Sequence, residues 1–406
     1  MSDVLRPAVD WELASVISDA VQRGWPLEIS GAGTKRGIGR PMQVAADVTT
    51  RAMRGVTLYE PSELVMSARA GTLVSDIEAE LARHGQMLAF EPLDVGPLFQ
   101  GQRGQGTIGG VFASNLSGAR RIAAGAARDH LIGLKAVTGR GESIKSGGRV
   151  MKNVTGYDVA RGLTGSWGTL AVMTEVTFKV LPAPEATATL VLAGLPDEIG
   201  VEVLRTALGT PYEVSGAVHL QQAPASRLWQ AGLKSLGTSI TALRIETFAN
   251  FLAQRSEKLK ALLKPYGEIH ELDTASSLVF WDEMRQLAPM TESSAPLWRI
   301  STAPRSGPKL VAAIAQYMPV EAVYDWSGGL VWLLVPPSAD AGATDVRRVI
   351  ALHGGHATLI RAEAPVRAAI DVFQPLDAAV ERLTRRLKAS FDPAGILNRG
   401  RMYATF

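Results

Sequence analysis

The sequence predicts an α+β protein with a glycine-rich N-terminal part and a second part of antiparallel strands carrying helices on one face. Three observations predict this. Strand, loop and helix signals recur within the first 90 residues; glycines crowd the stretch Gly96 to Gly168; and after Pro182-Ala183-Pro184 the texture changes to alternating strand-like and helical runs. With 406 residues, 46% hydrophobic and 20% charged, the chain can bury more than one core.

The elements follow in order. Met1 to Gly24 carries Asp3, Asp10, Glu12 and Asp19 and has no uninterrupted apolar core, so it is read as neither signal nor transit peptide, and the mature protein is expected to start there. Pro26 to Ser30 reads as a short strand entering Gly31-Ala32-Gly33-Thr34-Lys35. Leu64 to Ala70 is strand-like, and Thr72 to His84 places Leu73, Ile77 and Leu81 at helical spacing with Gly85 as a stop. Thr169 to Val180 alternates as one or two buried strands and ends at Leu181-Pro182-Ala183-Pro184, the first expected boundary. Beyond it, strand-like runs at 187–193, 239–248, 297–302, 322–326, 330–335 and 357–361 alternate with helical runs at 197–208, 250–264, 308–318 and 345–353. A last helix, Pro375 to Ser390, leads into the tail Phe391 to Asn398. The expected domains are 1–183, 184–375 and a terminal helix and tail, 376–406, that returns to the first.

Composition excludes several kinds of chemistry. The chain has no cysteine, hence no disulfide, zinc ribbon, Cys-ligated cluster or thiol nucleophile, and any redox chemistry must use a bound organic cofactor. A formal charge of +3, with no Lys/Arg cluster interleaved with aromatics, argues against nucleic acid as a partner. The most apolar run, Gly329 to Val335, is far short of the roughly 20 residues that span a bilayer. A cytoplasmic protein without a transmembrane segment is expected.

Gly31-Ala32-Gly33-Thr34 after a strand offers backbone amides that can cradle a phosphate, with Lys35 adding charge; its plain alternative is a tight turn. Gly104-Gln105-Gly106-Thr107-Ile108-Gly109 matches Gly-x-Gly-x-x-Gly, but Gly96 to Arg103 ahead of it is no hydrophobic strand, so the match is a decoy. Thr107 to Gly118 as a whole carries more. A glycine pair allows close backbone approach, and Ser114 and Asn115 can donate to phosphate or flavin oxygens, with Arg121, Arg128 and Asp129 following in a helical or turn segment.

The ordered set Gly31 to Thr34, Thr107-Ile108-Gly109-Gly110 through Ala113-Ser114-Asn115 and Gly118, Arg128-Asp129, Gly156-Tyr157-Asp158 and Gly165 to Leu170 resembles the vanillyl-alcohol oxidase (PCMH-type) FAD-binding family over roughly residues 20 to 180. Phe391 to Gly400 is similar to the tail by which D-2-hydroxyacid dehydrogenases of this type return to the flavin domain. Lys152 to Asp158 and Gly118 to Arg121 point further, to the FAD-binding subunits of bacterial glycolate oxidases. The fold this implies is a PCMH-type domain of two α+β subdomains with a ferredoxin-like antiparallel cap.

The resemblance also implies site residues. Gly31, Ala32, Gly33, Thr34, Lys35, Thr107, Ile108, Gly109 and Gly110 would hold the pyrophosphate of FAD. Ser114, Asn115, Gly118, Arg121, Arg128 and Asp129 would line the ribityl and isoalloxazine side; Val172 would meet the adenine edge through its backbone, and Asn398 would close the pocket. Thr34-Lys35 stand where some members attach flavin through histidine, so FAD is expected to be non-covalent. Catalytic relatives carry a His-x-Gly-Asp-Gly-Asn-x-His motif in the cap; the comparable stretch here, Asp325 to Trp332, has no histidine.

Catalytic residues are therefore not identified, with Arg299 and Tyr324 as the candidates. His353 and His356 alone fall short of a metal ligand set, and no metal is expected. The implied partners are a catalytic FAD-containing sister subunit, an iron-sulfur subunit and a small 2-hydroxy acid, with attachment to the inner membrane only through partners. Two alternatives stay open: a self-sufficient FAD-dependent 2-hydroxyacid dehydrogenase, and a flavin-free scaffold of the same complex.

Overall fold

The computed structural model describes residues 3–148 and 157–406; most of the Lys152 to Asp158 motif lies outside them. The chain forms two compact units. One comprises Met1–Ser117, Gly125–Ala183 and Asp371–Phe406; the other comprises Gly118–Ala124 and Pro184–Ile370.

The first unit holds a small parallel sheet, Asp3–Leu5, Ala46–Thr49 and Leu27–Ser30, with Ala46–Thr49 in the middle. Helix Asp10–Arg23, which the sequence analysis does not predict, buries Leu13, Ile17 and Ala20 at period 3–4 and ends at left-handed Gly24. A five-stranded antiparallel sheet runs in the order Val56–Glu60, Val65–Arg69, Ala171–Lys179, Leu131–Thr138, Ser143–Gly147. Helices Val74–Ala82 and Ile108–Ser114 fill its core with Ile77, Leu81, Val111 and Phe112 against Phe90 and Phe178. The expected helix at 72–84 thus forms over a shorter span. Thr169 to Val180 yields one long strand, and Leu181–Pro182 pairs briefly with Gln86–Met87.

The terminal helix Ala378–Phe391 is capped by the Asp377 carboxylate, which accepts from the amides of Ala379 and Val380. Lys388 is buried inside its own unit and fully used. Its ammonium donates to Asp392 Oδ2 at 2.7 Å, Thr169 O at 2.7 Å and Leu397 O at 3.0 Å, while Asp392 accepts from the amides of Ile396 and Leu397. This arrangement folds the tail sharply back, and the backbone of Leu27 and Asn398 then pairs.

The second unit is an eight-stranded antiparallel sheet in the order Ile269–Leu272, Ala186–Ala193, Ile240–Thr247, Val214–Leu220, Glu321–Asp325, Leu330–Leu334, Leu297–Ser301, His356–Arg361. Each half is a βαββαβ repeat with its strands in the spatial order 4-1-3-2. The two repeats join edge to edge through their second strands, His219 opposite Tyr324. The single ferredoxin-like cap expected from the sequence is therefore a pair of such modules in one continuous sheet. Joining the two second strands removes two exposed sheet edges, which would otherwise be open to strange partners. Val214–Leu220 was not foreseen: it is buried along its whole length, so no polar alternation marks it.

The heptapeptide Gly118–Ala124 is held in this unit by a buried charge cluster. Arg120 grips Glu246 with Nε at 2.9 Å and Nη2 at 2.6 Å, Ser215 donates to the same carboxylate at 2.5 Å, and Arg244 Nε donates to Ser215 Oγ at 3.1 Å. Burial pushes the Glu246 carboxyl up, but Arg244, Arg120 and the Ser215 hydroxyl outweigh it and hold it below the usual carboxylate value. Arg120→Ala leaves that carboxylate buried and short of its fork, so urea unfolding should show a loss of about 3–5 kcal/mol. Because the folded pKa is depressed, the stabilisation from Glu246 ionisation is complete above the unfolded value and fades as pH falls through the folded one. Glu246→Gln should flatten that acid limb in a pH series of melting curves.

Candidate functional site

A cleft in the first unit opens at the end of strand Leu27–Ser30. It encloses about 730 Å³, counting its open mouth, and is lined by Gly31 to Arg36, Thr107, Gly109, Gly110, Ser114, Ser166 to Gly168, Val172 and Arg401. An adjoining hollow of about 1050 Å³, counting its open mouth in the same way, continues past Gly31 to Gly33 onto a rim containing Arg6, Arg36, Arg51 and Arg54. The whole is a groove with a glycine-lined floor and cationic flanks.

Two of the glycines are required by close approach. A Cβ at Gly31 would stand 2.2 Å from Thr107 Oγ1, and one at Gly109 would meet Ala70 Cβ at 2.7 Å and Ala70 O at 2.8 Å. The first loop and the start of helix Ile108–Ser114 are thus pressed together with no room for a side chain. The carbonyls of Gly31, Gly33 and Lys35 are engaged by Thr49, Arg36 and Arg401, whereas the amides of Ala32, Gly33, Thr34 and Lys35 find no acceptor among the described residues. Donors turned outward around a small concavity form an anion nest.

Lys35 supplies the charge. It is buried, and desolvation brings its pKa down to about 8, with Asp94 pulling it up and Arg401 pushing it further down. Arg401 donates through Nη2 to Lys35 O at 2.8 Å and lies 5.4 Å from the Trp167 ring centre. A buried ammonium beside a guanidinium and a row of unengaged amides fits an anionic pyrophosphate, and the groove's two hollows leave room for the rest of a dinucleotide.

Of the residues named from sequence, the structure gathers Gly31, Ala32, Gly33, Thr34, Lys35, Thr107, Gly109, Gly110, Ser114 and Val172 around this cleft. The others do different work. Ile108 is buried in the core. Ser114 lines the wall, but its hydroxyl proton is spent on Gly110 O at 2.8 Å. Asn115, in the left-handed region at the helix end, accepts from the Arg128 amide, and Asp129 accepts from the Ala126 amide, so both are turn-forming groups. Arg128 does not line the cleft.

Gly118 and Arg121 belong to the second unit: the Gly118 carbonyl accepts from Trp326 Nε1 at 3.0 Å, and the Arg121 guanidinium lies over the Trp326 ring at 4.2 Å. Asn398 stands behind the wall rather than over the mouth. Wholly buried, it accepts from Ile29 N at 2.7 Å and donates to Trp167 O at 2.7 Å, bridging two strips of lining. Tyr324 is not a free phenol; its hydroxyl donates to Asp197 at 2.6 Å, and burial together with that carboxylate raises its pKa.

Sequence reasoning missed Trp167 and Arg401 as lining residues. Trp167 lies within the quoted motif Gly165 to Leu170, and Arg401 directly follows the quoted tail Phe391 to Gly400.

The charge state of Lys35 sets a measurable dependence. An anion in the nest raises its pKa, so binding above pH 8 must take up a proton; affinity for FAD should be flat below about pH 8 and fall up to about tenfold per pH unit above it. Flavin-fluorescence titrations of the wild type and of Lys35→Met test this, and the variant should bind more weakly at pH 7 and lose the dependence. Gly31→Ala should abolish FAD retention while leaving the second unit's unfolding unchanged.

Residues 2–147 match the family described as FAD binding domain. The chain is 34% identical to the glycolate oxidase subunit GlcE of Escherichia coli K12 over 97% of both proteins. It is 29% identical to the glycolate oxidase subunit GlcD of Bacillus subtilis over 46% of this chain and 38% of that one. Among solved structures, p-cresol methylhydroxylase with bound substrate superposes with a TM-score of 0.74 at 13% identity, covering 99% of this chain and 88% of the other, which is a likeness of fold. The cleft, its nest of amides and the near full-length match lead to one conclusion: the chain belongs to the GlcE family of FAD-linked oxidoreductase subunits.

Proposed function

We propose that the chain is the FAD-binding subunit of a glycolate oxidase complex that converts glycolate to glyoxylate, with a GlcD-like sister subunit and an iron-sulfur subunit as partners. The observation that carries this reading is the 34% identity to GlcE along 97% of both chains, together with a cleft whose donors suit a pyrophosphate.

Bound FAD supplies a two-electron acceptor for oxidation of a CH–OH group. The protein's own residues hold and orient. The open amides of Ala32 to Lys35 take the pyrophosphate, Gly109 and Gly110 let the backbone of the helix start come close, and Lys35 and Arg401 neutralise its charge. Trp167, 8% exposed, closes one wall and keeps water from it. No histidine lies between Asp325 and Trp332, where the catalytic relatives' cap motif falls, and Tyr324 is tied to Asp197. That distribution supports a division of labour in which the sister subunit removes the hydroxyl proton of glycolate. With no cysteine to ligate a cluster, the two electrons leave this chain through another protein or to a diffusible acceptor, and the glycolate oxidase reading favours an iron-sulfur subunit.

The purified chain should be yellow, with flavin released by heat or acid because it is held without a covalent bond. Under anaerobic conditions glycolate should leave the isolated chain's flavin oxidised and should bleach the flavin of the reconstituted complex within the mixing time. Rapid bleaching of the isolated chain would instead mark a self-sufficient dehydrogenase, and a colourless preparation a scaffold.

A further inference from the structure

The terminal helix Ala378–Phe391 packs on its own unit with its polar side inward. A surface helix ordinarily turns its apolar stripe to the core and its charges to water. Here the buried side chain is Lys388, and the apolar residues face out: Val380 is 43% exposed, Leu383 62% and Leu387 42%. At 3.6 residues per turn, positions 380, 383 and 387 fall within about 60° of one another around the helix axis. They form one continuous stripe.

Polar contacts do the anchoring. Asp377 caps the first turn, and Lys388 with Asp392 fixes the last. Between them Arg385 donates to Glu381 Oε1 at 2.7 Å and to Thr405 Oγ1 at 2.6 Å, and its guanidinium lies over the Phe406 ring at 4.7 Å. The helix is therefore held in place without using its apolar side, which stays preformed for another surface.

One edge of the stripe carries charge. Arg386 lies one turn beyond Leu383, and Arg382 lies one turn before Arg386; both are exposed, and neither has an ion pair among the described residues. Arg140, also exposed, donates to Ser390 O at 3.2 Å and extends the positive edge past the helix end. An exposed apolar stripe with a charged rim has the anatomy of a protein interface. The rim also chooses the occupant. A second copy laid antiparallel on the stripe would set Arg382 and Arg386 against their own counterparts, and like charges repel. A lipid surface would favour cations along both sides, whereas the other side holds Glu381 and Thr384. An apolar ridge edged with carboxylates satisfies both the stripe and the rim.

We propose that Val380, Leu383 and Leu387, with Arg382 and Arg386 at their edge, form the docking face for a partner subunit that presents apolar side chains edged by aspartate or glutamate. That this partner is the GlcD-like sister rests on the glycolate oxidase reading; that the face docks a protein rests on the stripe and its rim. Leucines supply the contact area, and the arginines steer the approach and fix its register.

The test measures binding of the full-length, FAD-loaded chain to the purified GlcD-like sister subunit from the same host, by surface kinetics at several salt concentrations. Wild-type protein should bind, with an association rate that falls as salt rises. Leu383→Asp should raise Kd at least about thirtyfold. Leu352→Asp, at a leucine 80% exposed on helix Ala343–His353, should match wild type. Arg382→Gln combined with Arg386→Gln should slow association and flatten its salt dependence. Flavin absorbance and melting temperature monitor folding; should Leu383→Asp lose either, Leu383→Gln and the arginine variant decide. Absence of binding by the wild type, or binding by the folded Leu383 variants within twofold of it, overturns the docking face. So does capture by phosphatidylcholine–phosphatidylserine vesicles, or a dimer of the isolated chain, that Leu383→Asp abolishes, because either gives the stripe a different occupant. A Leu383-dependent complex that leaves glycolate unoxidised defeats the substrate reading and upholds the face; glycolate oxidation by complexes that assemble equally well from every variant does the reverse.

Discussion

The first unit depends on one buried amide. Asn398 reaches the backbone of Ile29 with both its oxygen and its nitrogen, and the same nitrogen reaches the carbonyl of Trp167. Ile29 belongs to the strand that launches the Gly31 to Lys35 loop, and Trp167 is a wall of the same cleft. A single side chain from the tail therefore fixes the spacing between two pieces of the site. The amide can do this only because the tail is bent back, and the bend is held by the buried Lys388 and Asp392, whose polar atoms are matched by backbone donors and acceptors. A buried polar group left unmatched costs on the order of 1–3 kcal/mol, so the full matching of this cluster separates a stable clasp from a defect.

Both units treat charge in the same way, with opposite outcomes. Glu246 is buried with two arginines and a hydroxyl around it, and its charge is satisfied internally. Lys35 and Arg299 are buried cations whose fields are not cancelled by their neighbours: Asp94 and Asp325 oppose desolvation without overcoming it. The first pattern is structural, pinning Gly118–Ala124 to the sheet; the second leaves a positive charge of the kind that suits an anion from outside. Buried charges with shifted pKa values point to function when the shift comes from desolvation with no full partner.

Legibility in the sequence followed the range of the interactions. The glycine loops were readable because their constraint is local in kind: two backbones approach so closely that no Cβ fits, and only glycine meets that condition. The helix Asp197–Leu208 was readable from periodicity. Val214–Leu220 was not, because a strand buried on both faces has no alternation. Asn115 and Asp129, expected on the flavin side, serve the backbone instead for a related reason. Short polar side chains next to a helix end serve the backbone as readily as a ligand, and the choice is made by hydrogen bonds that spacing does not reveal.

The sequence alone determined the cofactor class, the α+β character, the glycine cradle and the absence of any thiol, because these depend on residue type and short-range order. Tertiary structure decided the rest. It placed Arg401 and Trp167 in the cleft, took Arg121 to Trp326 and Arg299, tied Tyr324 to Asp197, and doubled the cap into two βαββαβ repeats. Those outcomes rest on contacts between residues far apart in the chain, where burial and hydrogen-bond satisfaction across the fold, rather than local propensity, select the partner.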